Sequence, residues 1–132
     1  SEQNFENIEI GLSRVFKSGT GKLLNIPGIE ICGKSGTAEN FTKIKGKKTQ
    51  LTDHSIFVAY APKKNPKIAI AVLVENGHYG ATWAGRISSL MIEKYLNKKI
   101  TSKDTEIKVI NKNLKSEYVK PFSNKPFSIN TL

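Results

Sequence analysis

Two apolar segments separated by a short turn constrain this fold more than any other feature of the sequence. Residues 55–61 and 67–74 are rich in β-branched and aromatic side chains, which favours β-strands. The segment between them, Pro-Lys-Lys-Asn-Pro, is too short for the helical crossover that parallel neighbouring strands require. The two predicted strands must therefore pair in the antiparallel sense.

Apolar residues at helical spacing predict two main helices, one before and one after this strand pair. The first is expected at about residues 4–17, as a core-facing helix with apolar residues Phe5, Ile8, Leu12, Val15 and Phe16. The second is expected at about residues 83–97, as a well-buried helix with apolar positions 83, 87, 90, 91 and 95. With 38% hydrophobic residues, the 132-residue chain can bury a core.

The sequence changes character after residue 100. The spacing of Thr101 and Asp104 is that of a capping box, which predicts a short helix carrying Ile107, Ile110 and Leu114. Residues 115–132 are polar and contain two prolines, which indicates a loose tail.

A third predicted strand, residues 29–39, carries the side chains that point most directly to function. It contains Lys34-Ser35-Gly36-Thr37: a cation, two hydroxyls and a glycine that leaves room for an anion or acyl group near the backbone. Because side chains alternate along a strand, Ser35 and Thr37 share one face and Lys34 takes the other. All three can serve one site only if this strand borders a cleft. The lysine-rich residues 41–52 that come next are predicted to form a solvated loop or hairpin.

The same stretch also matches the phosphate-binding pattern G-x-x-x-x-G-K-[ST], from Gly28 to Ser35. That loop must expose its backbone amides and open a helix. Here the spacer Ile-Glu-Ile-Cys favours a strand, and the residues after Ser35 have no helical periodicity. The antiparallel strand pair also opposes the parallel sheet that such a loop belongs to. We therefore reject the nucleotide-binding interpretation.

Lys-Ser-Gly-Thr is instead typical of the third motif of the penicillin-recognising acyltransferases. Three stretches in register resemble a class B penicillin-binding protein, and the elongation-type enzymes most of all: residues 33–39, 53–62 and 83–96. The resemblance covers about residues 5–100. It implies an α+β fold, an antiparallel sheet with packed helices, like the corresponding part of a transpeptidase or serine β-lactamase. It also implies a division into a transpeptidase segment, 1–100, and a short helix with a polar tail, 101–132.

The resemblance implies a role for each residue of the motif. In a D,D-transpeptidase, a serine attacks the D-Ala-D-Ala end of a peptidoglycan stem peptide and an amine resolves the acyl-enzyme. Lys34 would place positive charge beside the proton-shuttling serine and the substrate carboxylate. Ser35 and Thr37 would bind that carboxylate through their hydroxyls. The backbone N–H of Thr37 would be an oxyanion-hole donor, and Gly36 would let the substrate lie against the strand.

One catalytic motif of the family is absent from the 132 residues, because no serine is followed three positions later by lysine. A Ser-x-Asn sequence occurs only in the polar tail, at Ser128 to Asn130, and none precedes Lys34. We therefore expect the chain to form one side of an active site. Without the rest of the domain, the chain is not expected to be acylated by penicillin. The resemblance also implies stem peptides and β-lactams as ligands, the rest of a transpeptidase domain and cell-shape proteins as partners, and a location on the periplasmic face of the bacterial inner membrane. An arginine, Arg86, stands where relatives commonly have proline, and little functional consequence is expected.

Two alternatives remain open on the sequence alone. Within the superfamily, a serine β-lactamase or D,D-carboxypeptidase would share this strand and differ in what resolves the acyl-enzyme. The net charge of +10 leaves a second class, a non-catalytic basic module that binds nucleic acid or another anionic polymer. The positive charge is mostly lysine, whereas base readout favours arginine, so nucleic acid is not the predicted partner.

Several other reactive side chains have structural interpretations. Asp53, His54 and Ser55 are adjacent on a strand and point to alternate faces, so they cannot align as a catalytic triad. His54 is therefore predicted to be a packed or hydrogen-bonded structural histidine, and Cys32 a small buried thiol. His78 is expected in an exposed loop, and Trp83 is expected to anchor the last helix. Two histidines and one cysteine are too few for a structural zinc site, and no cofactor is predicted.

Overall fold

The computed structural model describes residues 1–119 and has the predicted α+β architecture. In chain order its main elements are helix α1 (Glu2–Lys17), strands β1 (Cys32–Ile44), β2 (Lys47–Ala61) and β3 (Ile68–Val74), and helices α2 (Ala84–Asn97) and α3 (Lys103–Ile110). Two short 3-10 helices, Lys22–Leu24 and Lys115–Val119, complete the described part. Among these residues, no helix is long and apolar enough to cross a membrane.

The three strands form one antiparallel sheet in the order β1-β2-β3. In β2, Ser55 pairs with Val74 and Ala61 with Ile68, which confirms the predicted hairpin. Residues 41–52 are the far part of a second hairpin, in which Ile44 pairs with Lys47. β1 begins at Cys32 rather than at residue 29 and continues to Ile44, because pairing with β2 carries the strand well past the predicted end.

The core lies on the face of the sheet that carries Phe57, which is 1% exposed. Helix α2 packs on β2 and β3 there, and the Phe16 ring at the end of α1 meets Phe57 edge-on, with ring centroids 5.9 Å apart. Leu24 and Ile92 are buried in the same cluster. The core thus joins both main helices to the middle of the sheet.

Only the C-terminal part of α1 faces this core, so the prediction of a core-facing helix is wrong for its first turns. Phe16 is buried, whereas Phe5 is 76% exposed and Ile8 is 59% exposed. The apolar periodicity was sufficient to locate the helix. The periodicity did not indicate that, among the described residues, other elements pack only against the C-terminal end of α1.

The buried face of α2 differs in part from the predicted one, although Trp83 and Leu90 are buried as expected. Met91 and Tyr95 are about half exposed, while Ser88, Ser89 and Glu93 are buried. The two serine hydroxyls donate hydrogen bonds to backbone carbonyls, Ser88 to Ala84 and Ser89 to Leu24. A buried hydroxyl that has such a partner avoids most of the desolvation cost, so polar residues can occupy the packed face.

The predicted capping box at residues 101–104 is wrong. Helix α3 begins at Lys103 with Ser102 as N-cap, and no side chain caps it. The Thr101 hydroxyl donates instead to the buried carboxylate of Glu93, which also accepts the Thr101 N–H at 3.0 Å and the Ser102 N–H at 3.4 Å. Burial alone raises the pKa of Glu93, but these hydrogen bonds outweigh burial and lower it below the ordinary value.

The remaining boundaries differ slightly from expectation. Residues 22–27 read in the sequence as an extended connector, and the structure places a short 3-10 helix, Lys22–Leu24, within them. The beginning of the predicted loose tail, Lys115–Val119, forms a 3-10 helix that contacts β2. The rest of the predicted tail lies outside the described residues. The division at residue 100 stays a prediction, and the Glu93 contacts cross it.

Candidate active site

The Lys-Ser-Gly-Thr motif lies in the middle of β1, at an edge of the sheet. β2 pairs with one side of β1, and no strand of residues 1–119 pairs with the other. Lys34 is opposite Val58 and Gly36 opposite Ile56, while Ser35 is opposite Phe57 and Thr37 opposite Ser55. Alternation along β1 therefore places the lysine and the two hydroxyls on different faces, as predicted. An edge strand is the one position from which both faces can border the same groove.

The polar atoms of the motif are accessible. Lys34 is exposed, and its ammonium donates to the backbone carbonyl of Ser35 at 2.7 Å. The Ser35 hydroxyl lies 3.3 Å from the hydroxyl of Thr20, in the segment that follows α1. Thr37 is exposed, and Gly36 has only ordinary contacts where a Cβ would stand. These groups can bind an anion at the strand edge. Lys34 lies inside β1, which continues to Ile44 and does not lead directly into a helix. This geometry agrees with the rejection of a phosphate-binding loop.

A loop between β3 and α2 supports the motif from behind. A Cβ on Gly80 would lie 2.7 Å from the backbone nitrogen of Gly36 and still closer to the carbonyls of Gly36 and Ile56. Glycine is therefore required where this loop crosses the strand pair. The wholly buried hydroxyl of Ser55, beside Thr37, contacts the carbonyls of Tyr79 and Gly80 at 2.9 and 3.1 Å. It thereby fixes the loop to the sheet directly behind the motif.

A polar network stabilises β1 just beyond the motif. The side-chain amide of Asn40 donates to Asn76 at 2.7 Å, and the Asn40 N–H donates to Asp53 at 3.3 Å. The Asn76 N–H in turn donates to Nδ1 of His54 at 3.0 Å. The register shift between Ala38 and Asn40 lies beside this network. His54 is thus the hydrogen-bonded structural histidine that the strand pattern predicted.

The other sequence candidates are also located. Cys32 is fully buried, as predicted, and burial raises the pKa of its thiol. His78 is partly exposed, and its ring lies 3.6 Å from the carboxylate of Glu117.

Trp83 is buried at the start of α2, and Arg86 is buried near it, 5.9 Å from its ring. The Nε of Arg86 has no hydrogen-bond partner among residues 1–119, and burial lowers the pKa of this guanidinium. The effect of Arg86 on function stays untested.

The sequence alone did not indicate the residues that support the motif from behind. The local pattern around Ser55 indicated only a triad that strand alternation excludes, and the loop containing His78 was predicted only to be exposed. Their roles depend on contacts between residues 24 or more positions apart, and local patterns do not encode those. A cavity of about 380 Å³ next to Gly33 and Val58, and others along α1, do not include Ser35, Gly36 or Thr37. The motif therefore lies outside these cavities, at an open strand edge.

Comparison with known proteins assigns this chain to a family. Residues 1–95 match the penicillin binding protein transpeptidase domain, and the chain belongs to that family. The resemblance to class B penicillin-binding proteins is thereby confirmed, since the similar proteins include peptidoglycan D,D-transpeptidases named MrdA and PbpA.

Similarity extends to both sequence and structure. The chain is 34% identical over 91 residues to the peptidoglycan D,D-transpeptidase MrdA of Acinetobacter baumannii, covering 64% of this chain and 14% of that protein. It is 46% identical over 52 residues to PbpA of Mycobacterium tuberculosis, covering 39% of this chain and 10% of that protein. Penicillin-binding protein A from M. tuberculosis, solved as a penicillin G acyl-enzyme complex, matches with a TM-score of 0.56 and 33% identity, over 73% of this chain and 21% of that one. The chain thus spans a small part of its relatives.

Proposed function

We propose that this chain forms the substrate-carboxylate and oxyanion side of a peptidoglycan D,D-transpeptidase active site. The observation that carries the proposal is the placement of Lys34, Ser35 and Thr37 at an unpaired strand edge in a chain of this family. Its relatives are peptidoglycan D,D-transpeptidases, and one was solved as an acyl-enzyme with penicillin G. Peptidoglycan stem peptides ending in D-Ala-D-Ala, and β-lactams that resemble them, are the proposed ligands.

Each residue of the motif has a chemical task in this proposal. The hydroxyls of Ser35 and Thr37 bind the terminal carboxylate, and the positive charge of Lys34 favours its approach. The N–H of Thr37 donates to the carbonyl oxygen that becomes negative in the tetrahedral intermediate. Removing one such donor costs on the order of 10²–10³ in rate in other enzymes. Gly36 lets the substrate lie against the strand, because it has no Cβ that would intrude there.

The nucleophile and general base of the reaction have to come from outside these 132 residues, because S-x-x-K is absent from them. The serine would attack the carbonyl of the penultimate D-Ala, release the terminal D-Ala and form an ester, and an amine of a neighbouring stem would then displace the serine. A periplasmic site at the bacterial inner membrane and cell-shape partners belong to the same proposal.

The test begins with the genomic reading frame around this chain. We expect S-x-x-K and S-x-N upstream of Ser1. A fluorescent penicillin should then label the full-length protein on the serine of S-x-x-K, while the 132-residue chain takes no label. A reading frame without either motif, or a covalent label on a serine of this chain, contradicts the proposal.

A further inference from the structure

After helix α3 the chain returns to the start of helix α2. Thr101, just before α3, donates hydrogen bonds to Glu93 in the second half of α2. Lys112, just after α3, lies beside Trp83 at the start of α2, with its ammonium 5.5 Å from the centre of the ring. Helix α3 therefore runs back along α2 and brings the residues that follow it to the loop between β3 and α2. We call residues 112–118 the return segment.

The return segment contacts the loop of residues 75–83 at its beginning, its middle and its end. At the beginning, the Tyr118 hydroxyl donates to the carboxylate of Glu75 at 3.1 Å. In the middle, a carboxylate oxygen of Glu117 lies 3.6 Å from Nε2 of His78. The cation over the indole ring is the contact at the end of the loop. The return segment is thus joined to this loop at three points.

The carboxylate of Glu117 also ties the loop to the sheet. Its side chain is only 12% exposed, so the charge needs partners that replace water. The oxygen that lies near His78 also accepts the hydroxyl of Thr52, a buried residue of β2, at 3.5 Å. One oxygen therefore lies between the middle strand and the middle of the loop.

The loop has a strained backbone that needs such contacts. Asn76 and His78 have positive φ angles of 52° and 61°. This left-handed region is uncommon for residues other than glycine, and it persists where the surrounding structure fixes it. The polar network already described fixes Asn76. At His78, the backbone N–H donates to the carbonyl of Asp53 at 3.0 Å, and Glu117 of the return segment contacts the ring.

The loop in turn supports the motif strand. Gly80 lies so close to β1 that a Cβ on it would be 2.7 Å from the backbone nitrogen of Gly36. The buried hydroxyl of Ser55 contacts the carbonyls of Tyr79 and Gly80, directly behind Thr37. A shift of the loop would therefore remove the support behind the strand edge that receives the proposed substrate.

We propose that Glu117 and Tyr118 are positioning residues of this active site, which fix the loop of residues 75–83 and through it the substrate edge of β1. The inference rests on the proposed function. It adds a role for residues outside the family match, which covers residues 1–95. Neither side chain is a reacting group, so their loss should slow acylation and leave its chemistry unchanged.

The experiment uses the full-length protein and compares matched pairs of substitutions. The test variant combines Glu117→Ala with Tyr118→Phe. The control variant makes the same chemical changes, Glu9→Ala with Tyr60→Phe, at another contact between a tyrosine hydroxyl and a carboxylate. That contact joins α1 to the end of β2 that pairs with the start of β3, far from the loop. Glu117→Gln is the conservative variant, because its amide oxygen can still accept a hydrogen bond.

Three quantities are measured for every protein. The first is the second-order rate constant of labelling by fluorescent penicillin, at a temperature where all the variants are folded. The second is Tm, which reports general stability. The third is hydrogen–deuterium exchange of residues 75–83, which reports local opening of the loop.

We expect the test variant to be labelled at least about 5-fold more slowly, within the roughly 100-fold loss that a displacement of about 1 Å can cause. Exchange in residues 75–83 should become faster in the same variant. The labelling rate of Glu117→Gln should stay close to that of the unmodified protein. The control variant should keep the unmodified labelling rate, even where its Tm falls.

The contrary outcomes separate the two proposals. An unmodified protein that takes no penicillin label defeats the proposed function. If that protein is labelled, a test variant with the unmodified labelling rate overturns the positioning role alone. Equal slowing in the test and control variants, with equal falls in Tm, also overturns it, because it indicates general destabilisation. If the test variant does not fold, Tyr118→Phe is compared with Tyr60→Phe by the same criteria.

Discussion

The hydroxyl of Ser55 in the middle strand accepts the backbone N–H of Ala84, at the first turn of α2, at 3.1 Å. The same oxygen faces the carbonyls of Tyr79 and Gly80, so one buried hydroxyl joins the sheet, the preceding loop and the helix. Ser55 is opposite Thr37 in the register. The loop and helix that the hydroxyl anchors are thereby fixed relative to the proposed oxyanion donor.

Replacing Ser55 with alanine should lower the free energy of unfolding by about 1–3 kcal/mol, because buried groups lose their hydrogen-bond partner. The urea midpoint of the full-length protein measures this. Ser88→Ala is the matched control, since the Ser88 hydroxyl only adds a second bond to a carbonyl inside α2. Its expected loss is under about 1 kcal/mol. Equal losses would show that the Ser55 contacts have no special weight.

Gly80→Ala should displace the loop from the motif strand. Its Cβ would meet backbone atoms of Gly36 and Ile56, which cannot turn aside as a side chain can. Overpacking of this kind typically costs about 1–3 kcal/mol. We expect both lower stability and slower labelling by fluorescent penicillin. Gly11→Ala is the control, because a Cβ added at Gly11 would have no neighbouring atom within 4 Å. Gly11 also lies in a helix, where alanine is favoured. Normal labelling of Gly80→Ala would contradict the proposed support.

Stability should fall in acid partly through Glu93. Hydrogen bonds lower its pKa in the folded protein, so its ionised form stabilises the fold. That contribution is fully present above the unfolded pKa of about 4.3 and is lost as pH falls through the lower folded value. Glu93→Gln should therefore give a shallower loss of unfolding free energy below about pH 4.3. Chemical denaturation at several pH values measures the slopes, and identical slopes would contradict the assignment.

Cys32 should be inert in the folded chain. Its thiol is fully buried and burial raises its pKa, so little thiolate is available to react. The measurement uses a disulfide reagent that becomes coloured when it reacts with a free thiol. We expect it to react slowly with Cys32 in the folded 132-residue chain and rapidly when the chain is in denaturant. Fast reaction without denaturant would show that the start of β1 is open in solution.

The pattern of apolar residues was enough to predict the three strands, the antiparallel pairing and both main helices. The motif in β1 was found because its chemistry is carried by four consecutive residues. Patterns failed where a polar residue is buried with a distant partner. Ser89 bonds to Leu24 and Glu93 to Thr101, so part of the buried face of α2 and the capping of α3 were predicted incorrectly. The exposure of Phe5 could not be predicted either, since periodicity does not say what covers a helix.

A strand edge that accepts an extended peptide can also accept the same edge of another molecule. Unpaired edges of this kind lead to edge-to-edge association, and lysine along an edge strand is one of the ways in which proteins prevent it. β1 leaves Lys34 to Thr37 open but carries Lys43 further along the same strand, opposite Lys48. Two copies that paired these edges in the parallel sense would bring two such clusters beside each other, and their like charges would repel. The exposed lysines of this hairpin would thus oppose association of two copies through the edge of β1.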